Sequence, residues 1–179
     1  MTIHLERVLF VVAPRDSGKS TTLRSLFKDR RFGTEGEVPT SEQRRLNDVY
    51  WISNERRLYL RLTSPHEYDE SVKEFIEKSR KKMMSGRWCF ACPLQPDAYK
   101  RMPDVVETVR RVIEVFKPER TRVAFLSPNR HGSIWVQDFL PDRDLLEELL
   151  SIGCVEVMCI DSRQLSVNGL LLADYFDFT

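Results

Sequence analysis

The chain has 179 residues, 41% hydrophobic and 31% charged, a balance that suits one globular domain with a substantial core. Its 28 basic and 27 acidic residues leave a formal net charge of +1, which argues against a general attraction to nucleic acid or an anionic membrane. No apolar run approaches the roughly 20 residues of a membrane span, and no signal peptide is expected. Four cysteines (Cys89, Cys92, Cys154, Cys159) lie in apolar runs and read as reduced core residues, so the cytoplasm is the expected compartment.

Val8–Val12 is a continuous apolar run, the pattern of a buried parallel strand, and it leads into Ala13-Pro-Arg-Asp-Ser-Gly-Lys-Ser20. This reads A-x-x-x-x-G-K-S, a phosphate-binding P-loop with alanine at its usual first glycine. A helix is expected to open at Ser20, with Leu23, Leu26 and Phe27 on one face. Strand, turn and helix thus come in the order such a loop requires. The expected phosphate-binding set is Arg15, Asp16, Ser17, Gly18, Lys19, Ser20 and Thr21, whose backbone N–H groups surround a phosphate. Lys19 would neutralise β- and γ-oxygens, and the Ser20 hydroxyl would ligate Mg²⁺. The ligand this predicts is a Mg²⁺–nucleoside triphosphate.

A polar stretch follows over 28–47. Val49–Ile52 and Leu58–Leu62 are then strand-like runs separated by too few residues for a crossover helix, so they predict an antiparallel hairpin. A helix is expected over Tyr68–Met84, with Val72, Phe75, Ile76 and Met83 inward. Trp88–Cys92 is apolar throughout and predicts a central parallel strand. Next come a helix over Pro103–Phe116, a strand at Arg122–Leu126, a helix over Asp142–Ile152 and a strand at Cys154–Ile160. The tail, Leu165–Thr179, fits a short helix or an edge strand. The alternation predicts one α/β domain over 1–179, a three-layer P-loop fold whose mostly parallel sheet carries one antiparallel hairpin strand.

In phosphate loop, hairpin position and order of elements, the chain resembles the Ras-like small GTPases. The resemblance implies further site residues. The switch threonine that ligates Mg²⁺ corresponds to Thr40, with Thr34 as a second candidate. Where the family's D-x-x-G motif stands, this chain has Thr63 for the metal-supporting Asp and His66 for the glycine. Glu67 falls where a water-orienting Gln often stands, giving a candidate catalytic set of Lys19, Arg15 and Glu67; the bland alternative makes Pro65-His-Glu67 a helix start. The guanine-reading N-K-x-D motif is met by Asn129-Arg130, but Gly132 replaces its Asp. Asp161 and Ser162 lie where the family contacts the base from the last strand, so nucleobase contacts would come from Asn129, Arg130, Asp161 and Ser162. Base choice stays open between GTP and ATP.

Other chemistry in the sequence is weaker. Cys89 and Cys92, three apart on a strand, face opposite sides and cannot share a metal without a bend. Basic groups at 44–45, 56–57, 78–82 and 110–111 are interleaved with acids, which makes a nucleic-acid surface the less favoured reading. The aromatic hairpin residues Tyr50, Trp51 and Tyr59, with the 28–47 loop, are the expected protein-partner surface. The leading expectation is a divergent GTPase-like protein that hydrolyses slowly and serves as a nucleotide-dependent interaction module. The alternatives are a phosphotransferase, with Asp48 or Asp161 as its base, and a non-hydrolysing scaffold.

Overall fold

Strand β1 (Ile3–Val12) runs through the middle of a six-stranded sheet in the computed structural model, which describes residues 2–38, 48–131 and 138–178. The other strands are β2 (Val49–Trp51), β3 (Arg56–Leu60), β4 (Gly86–Leu94), β5 (Arg120–Leu126) and β6 (Val155–Ile160), in the spatial order β2-β3-β4-β1-β5-β6. Only β2 and β3 pair antiparallel, with Tyr50 opposite Leu58; every other pair is parallel. The apolar runs predicted the central strands well, because strands buried on both faces carry hydrophobic residues without alternation.

Helices cover both faces. On one lie α1 (Lys19–Arg24), which tightens into a 3₁₀ turn over Ser25–Lys28, and α5 (Leu165–Asp174). They bury Leu23, Leu26, Phe27 and Leu172 against Leu9, Val11, Leu58, Cys89 and Ala91. The opposite face carries α2 (Val72–Lys82), α3 (Val105–Phe116) and α4 (Arg143–Ser151), which pack on Val8, Phe10, Val12, Phe90 and Cys92. Cys89 and Cys92 thus belong to opposite layers, as strand alternation dictates. The tail is a helix. It approaches α1 closely enough that a Cβ built at Gly169 would lie 2.0 Å from the Ser25 carbonyl oxygen, so only glycine fits that crossing.

The helix ends follow local chemistry. Ser71 and Glu74 form a reciprocal capping box that starts α2, while Asp104 and Asp142 accept backbone N–H bonds at the starts of α3 and α4. Expected boundaries shift accordingly: α2 begins after a separate 3₁₀ turn over Pro65–Glu67 rather than at Tyr68. Pro65-His-Glu67 thus forms a short 3₁₀ turn of its own, capped by Ser64, and not the start of α2.

Several expectations need correction. A Ras-like sheet sets the inner hairpin strand directly against the phosphate-loop strand, whereas here β4 lies between β3 and β1. The likeness therefore extends to the order of elements along the chain and not to their order in the sheet. Cys154 and Cys159 are exposed rather than buried, because β6 is an edge strand and Cys154 occupies a left-handed turn before it. The hairpin aromatics form no common surface: Tyr50 packs on Phe27, Tyr59 is buried against Phe90, and only Trp51 is exposed. Basic residues are largely matched within the fold. Arg56 meets buried Glu6 at 2.6 Å, Lys78 meets Glu70, Lys82 meets Asp48, and Arg110 and Arg111 share Glu107. No helix among the described residues is long and apolar enough to cross a membrane.

Candidate phosphate site

The loops leaving β1, β3, β4, β5 and β6, which carry most of the candidate chemistry, leave the carboxyl-terminal edge of the sheet, where α/β folds gather their ligands. The loop after β1 turns back under the sheet edge: Ala13 N–H donates to Leu94 O at 3.3 Å, and Thr22 N–H donates to Gly18 O at 2.9 Å. Gly18 has φ 93°, a left-handed conformation, and a Cβ there would lie 3.0 Å from the Arg130 Cβ. Conformation and space both call for the glycine of the motif. Asp16 also adopts a left-handed φ of 60°, without glycine's tolerance for it.

Lys19 is almost fully buried and bends back along the loop, donating from Nζ to Ala13 O at 2.9 Å and to Pro14 O at 2.6 Å. Burial pulls its ammonium down to about 8, against the opposing charges of Glu67 and Asp16. Ser20 Oγ donates to Leu62 O at 2.6 Å, tying the loop to the chain that leaves β3. Ser17 is fully buried and its hydroxyl has no partner among the described residues. An unpaired buried hydroxyl is uncommon in folded proteins and marks a place where a bound group can complete the bonding.

Arg130 closes the outer side. Its backbone N–H donates to Ser17 O at 3.4 Å, and its Nη1 donates to Thr21 Oγ1 at 3.0 Å. A cavity of about 330 Å³ results, lined by Asp16, Gly18, Lys19, Ser20, Thr21, Glu67, Arg130 and His131. Arg130 therefore stands over the loop that follows β1, a placement its assignment to the nucleobase set did not anticipate. Glu67 is exposed and lines the cavity; its backbone N–H donates to Ser64 O at 3.0 Å, and its carboxylate acts on Lys19 through charge without a salt bridge among the described residues.

The other base-contact candidates are engaged elsewhere. Asn129 is buried; its side chain donates to Asp138 Oδ1 at 2.6 Å and accepts from His131 N–H at 2.9 Å, so it shapes its own loop. Ser162 is buried and donates to Pro128 O at 3.1 Å. Asp161 is held by Arg163 at 2.7 Å, which draws its carboxyl down to about 2. Gly132 and Thr40 lie outside the described residues. Thr34, the second switch candidate, donates to Phe27 O at 2.8 Å and supports the turn after α1.

Thr63 does not replace the metal-supporting carboxylate: its carbonyl accepts from Arg61 Nε at 2.9 Å. His66 is fully buried, and both ring nitrogens are used. Nε2 donates to Pro103 O at 3.0 Å, while Nδ1 accepts from Gln95 N–H at 3.5 Å. Burial lowers its basicity first and the nearby Lys19 charge adds to that, so His66 serves as a neutral pin between two loops. This pin is a structural role that its position in the motif did not reveal. Asp48 pairs with Lys82 at 2.6 Å, so neither it nor Asp161 stands free as a base. Arg15 is exposed and its Nε lies 3.6 Å from Asp16.

No cluster of three or more His, Cys, Asp or Glu is placed to hold a metal among the described residues. Of the residues read as Mg²⁺ ligands, Ser20 lines the cavity, with its hydroxyl donated to Leu62 O, and Thr40 is not among the described residues. Comparison with protein-family profiles, curated proteins and solved structures finds no match to this chain.

Proposed function

We propose that this chain is a P-loop protein that binds a Mg²⁺–nucleoside triphosphate, GTP or ATP, and cleaves its γ-phosphate slowly. The observation that carries this reading is the loop itself. A buried lysine is folded onto carbonyls it can exchange for phosphate oxygens, beside a left-handed glycine, an orphaned buried hydroxyl and an arginine on the open side. Lys19 and Arg130 would bind the phosphates, and Glu67 would orient an attacking nucleophile. Bound Mg²⁺ would neutralise charge shared between the β- and γ-phosphates, held on the protein side by Ser20.

Isothermal titration with GTP and ATP, each with and without Mg²⁺, tests the reading. Saturable binding strengthened by Mg²⁺ is the expected outcome, and a silent titration with both nucleotides would overturn it. Interposition of β4 weakens the switch-GTPase version of this function. A second reading, phosphoryl transfer to an acceptor, is favoured by a cavity beside the phosphate site.

A further inference from the structure

A cavity of about 300 Å³ adjoins the phosphate site and shares Glu67 with it. Its other walls are Arg15, Thr63, His66, Tyr68, Gln95, Tyr99 and Lys100, so it lies between the loop leaving β3 and the loop leaving β4. We infer that this second cavity is the site of a phosphoryl acceptor: a hydroxyl-bearing phosphomonoester of about sugar-phosphate size. The inference rests on the triphosphate reading of the first cavity.

Three observations support it. First, the wall is built in advance. His66 pins it to Pro103 and Gln95, and Tyr99 and Met102 exchange backbone hydrogen bonds at 3.0 and 3.1 Å. Second, Lys100 at the tip of that turn has φ 54°, a left-handed conformation that strains a non-glycine residue. Glycine would relieve this strain, yet a lysine occupies the position and has no carboxylate partner among the described residues. With Arg15 also lining it, the cavity offers two cations to an anionic ligand. Third, the Glu67 carboxylate, without a salt bridge among the described residues, borders both cavities, where a base must stand to connect a donor and an acceptor.

The step then balances simply. An acceptor hydroxyl oxygen forms a bond to the γ-phosphorus as the bond from that phosphorus to the β–γ bridging oxygen breaks. The bond's electrons stay on the diphosphate, and the hydroxyl proton passes to the Glu67 carboxylate. The products are a nucleoside diphosphate and a phosphorylated acceptor. The cavity's size lies at the lower limit of ordinary small-molecule sites, which sets the acceptor's size.

The test uses the full chain with Mg²⁺ and γ-labelled GTP or ATP, with ribose 5-phosphate, glucose 6-phosphate and glycerol 3-phosphate as acceptor probes. Label is expected in at least one acceptor, with triphosphate consumption at least tenfold faster than without it. Lys100→Gly removes the charge while relieving the backbone, so it folds at least as well as the parent; half-saturating acceptor should rise at least tenfold, and Lys100→Arg should restore most of the loss. Label found only in inorganic phosphate with all three probes, or an acceptor response unchanged in Lys100→Gly, would overturn the inference. A parallel titration with the triphosphate alone separates the failures. Binding of triphosphate without transfer defeats this inference only, whereas a silent titration defeats the triphosphate reading as well.

Discussion

The Lys19 ammonium donates to the carbonyl oxygen of Ala13 at 2.9 Å, so the residue that would meet the phosphates instead closes the loop on its own first turn. Phosphate must displace this bond and the one to Pro14. The exchange is favourable because a phosphate oxygen carries charge that a carbonyl does not, which places it among the stronger hydrogen bonds. Lys19→Ala is therefore expected to weaken triphosphate binding at least tenfold, on the order of the 1.5–3 kcal/mol typical of bonds to charged groups.

The same lysine sets a pH dependence. Its ammonium sits at about 8 in the free protein, lowered chiefly by burial, and a bound triphosphate raises it. Below that value lysine is charged in both states and its contribution is constant. Above it, binding must take up a proton, so affinity should fall by up to about tenfold per pH unit until the bound form also titrates. Titration between pH 7 and 9.5 checks this, with Lys19→Arg as the control that stays charged. A flat profile in the parent protein would show that Lys19 does not meet phosphate.

Base discrimination should be weak. Reading guanine requires an acceptor free to meet its ring N–H and amino group, yet Asn129 is spent on its own loop and Asp161 on Arg163. A site built to hydrogen-bond one edge rejects analogues by large factors, and a site without that acceptor does not. Competition between GTP and ATP is expected to show a preference below about a hundredfold, roughly 2.7 kcal/mol. A larger preference for GTP would mean that Asp161 leaves Arg163 when nucleotide binds.

His66 predicts acid sensitivity of the fold. Burial depresses its basicity in the folded protein below the ordinary 6.5, so the unfolded chain binds the proton more readily. Stability should accordingly be complete above about pH 6.5 and decline as pH falls from there toward the folded-state value. His66→Asn removes this titration and disturbs the bonds to Pro103 and Gln95, at a cost of about 1–3 kcal/mol near neutrality. Thermal melts at pH 5, 6 and 7.5 compare the two proteins. A melting temperature that declines equally in both below pH 6.5 would assign the sensitivity to other groups.

How far the sequence revealed this site depends on the range of the interactions involved. Gly18, Lys19 and Ser20 read as a phosphate loop because that motif is defined within a few residues, and the apolar runs of β1 and β4 announce buried strands. The position of β4 beside β1 is a long-range pairing that no local pattern specifies. It alters which loops border the phosphate site. Arg130 reads as a base contact in the linear motif, yet the packing of the β5 loop onto Ser17 brings it over the loop that follows β1. Lys100 gave no signal at all, since a solvent-exposed lysine becomes informative only when its left-handed backbone and its neighbours across the cavity are known.

Hydrolysis without an acceptor should be slow. Phosphoryl transfer depends on positioning and on charge neutralisation. Lys19, Ser20 and Arg130 line the cavity that would receive the phosphates, but Thr63 carries no carboxylate to support Mg²⁺, and both ring nitrogens of His66 are engaged. Arg15 borders the second cavity and not the first. Only Glu67 remains to orient water, and an exposed carboxylate holds water poorly because nothing fixes its rotamer. Single-turnover rates of the isolated protein should lie within or below the roughly 10⁻⁴–10⁻² s⁻¹ of unassisted GTPases. Glu67→Gln should lower that rate at least tenfold while leaving triphosphate affinity within about threefold, because general-base contributions of about 10²–10⁴ appear in the chemical step. Turnover near 1 s⁻¹ with water alone would place a second base beside the γ-phosphate. An unchanged rate in Glu67→Gln would remove Glu67 from the chemistry.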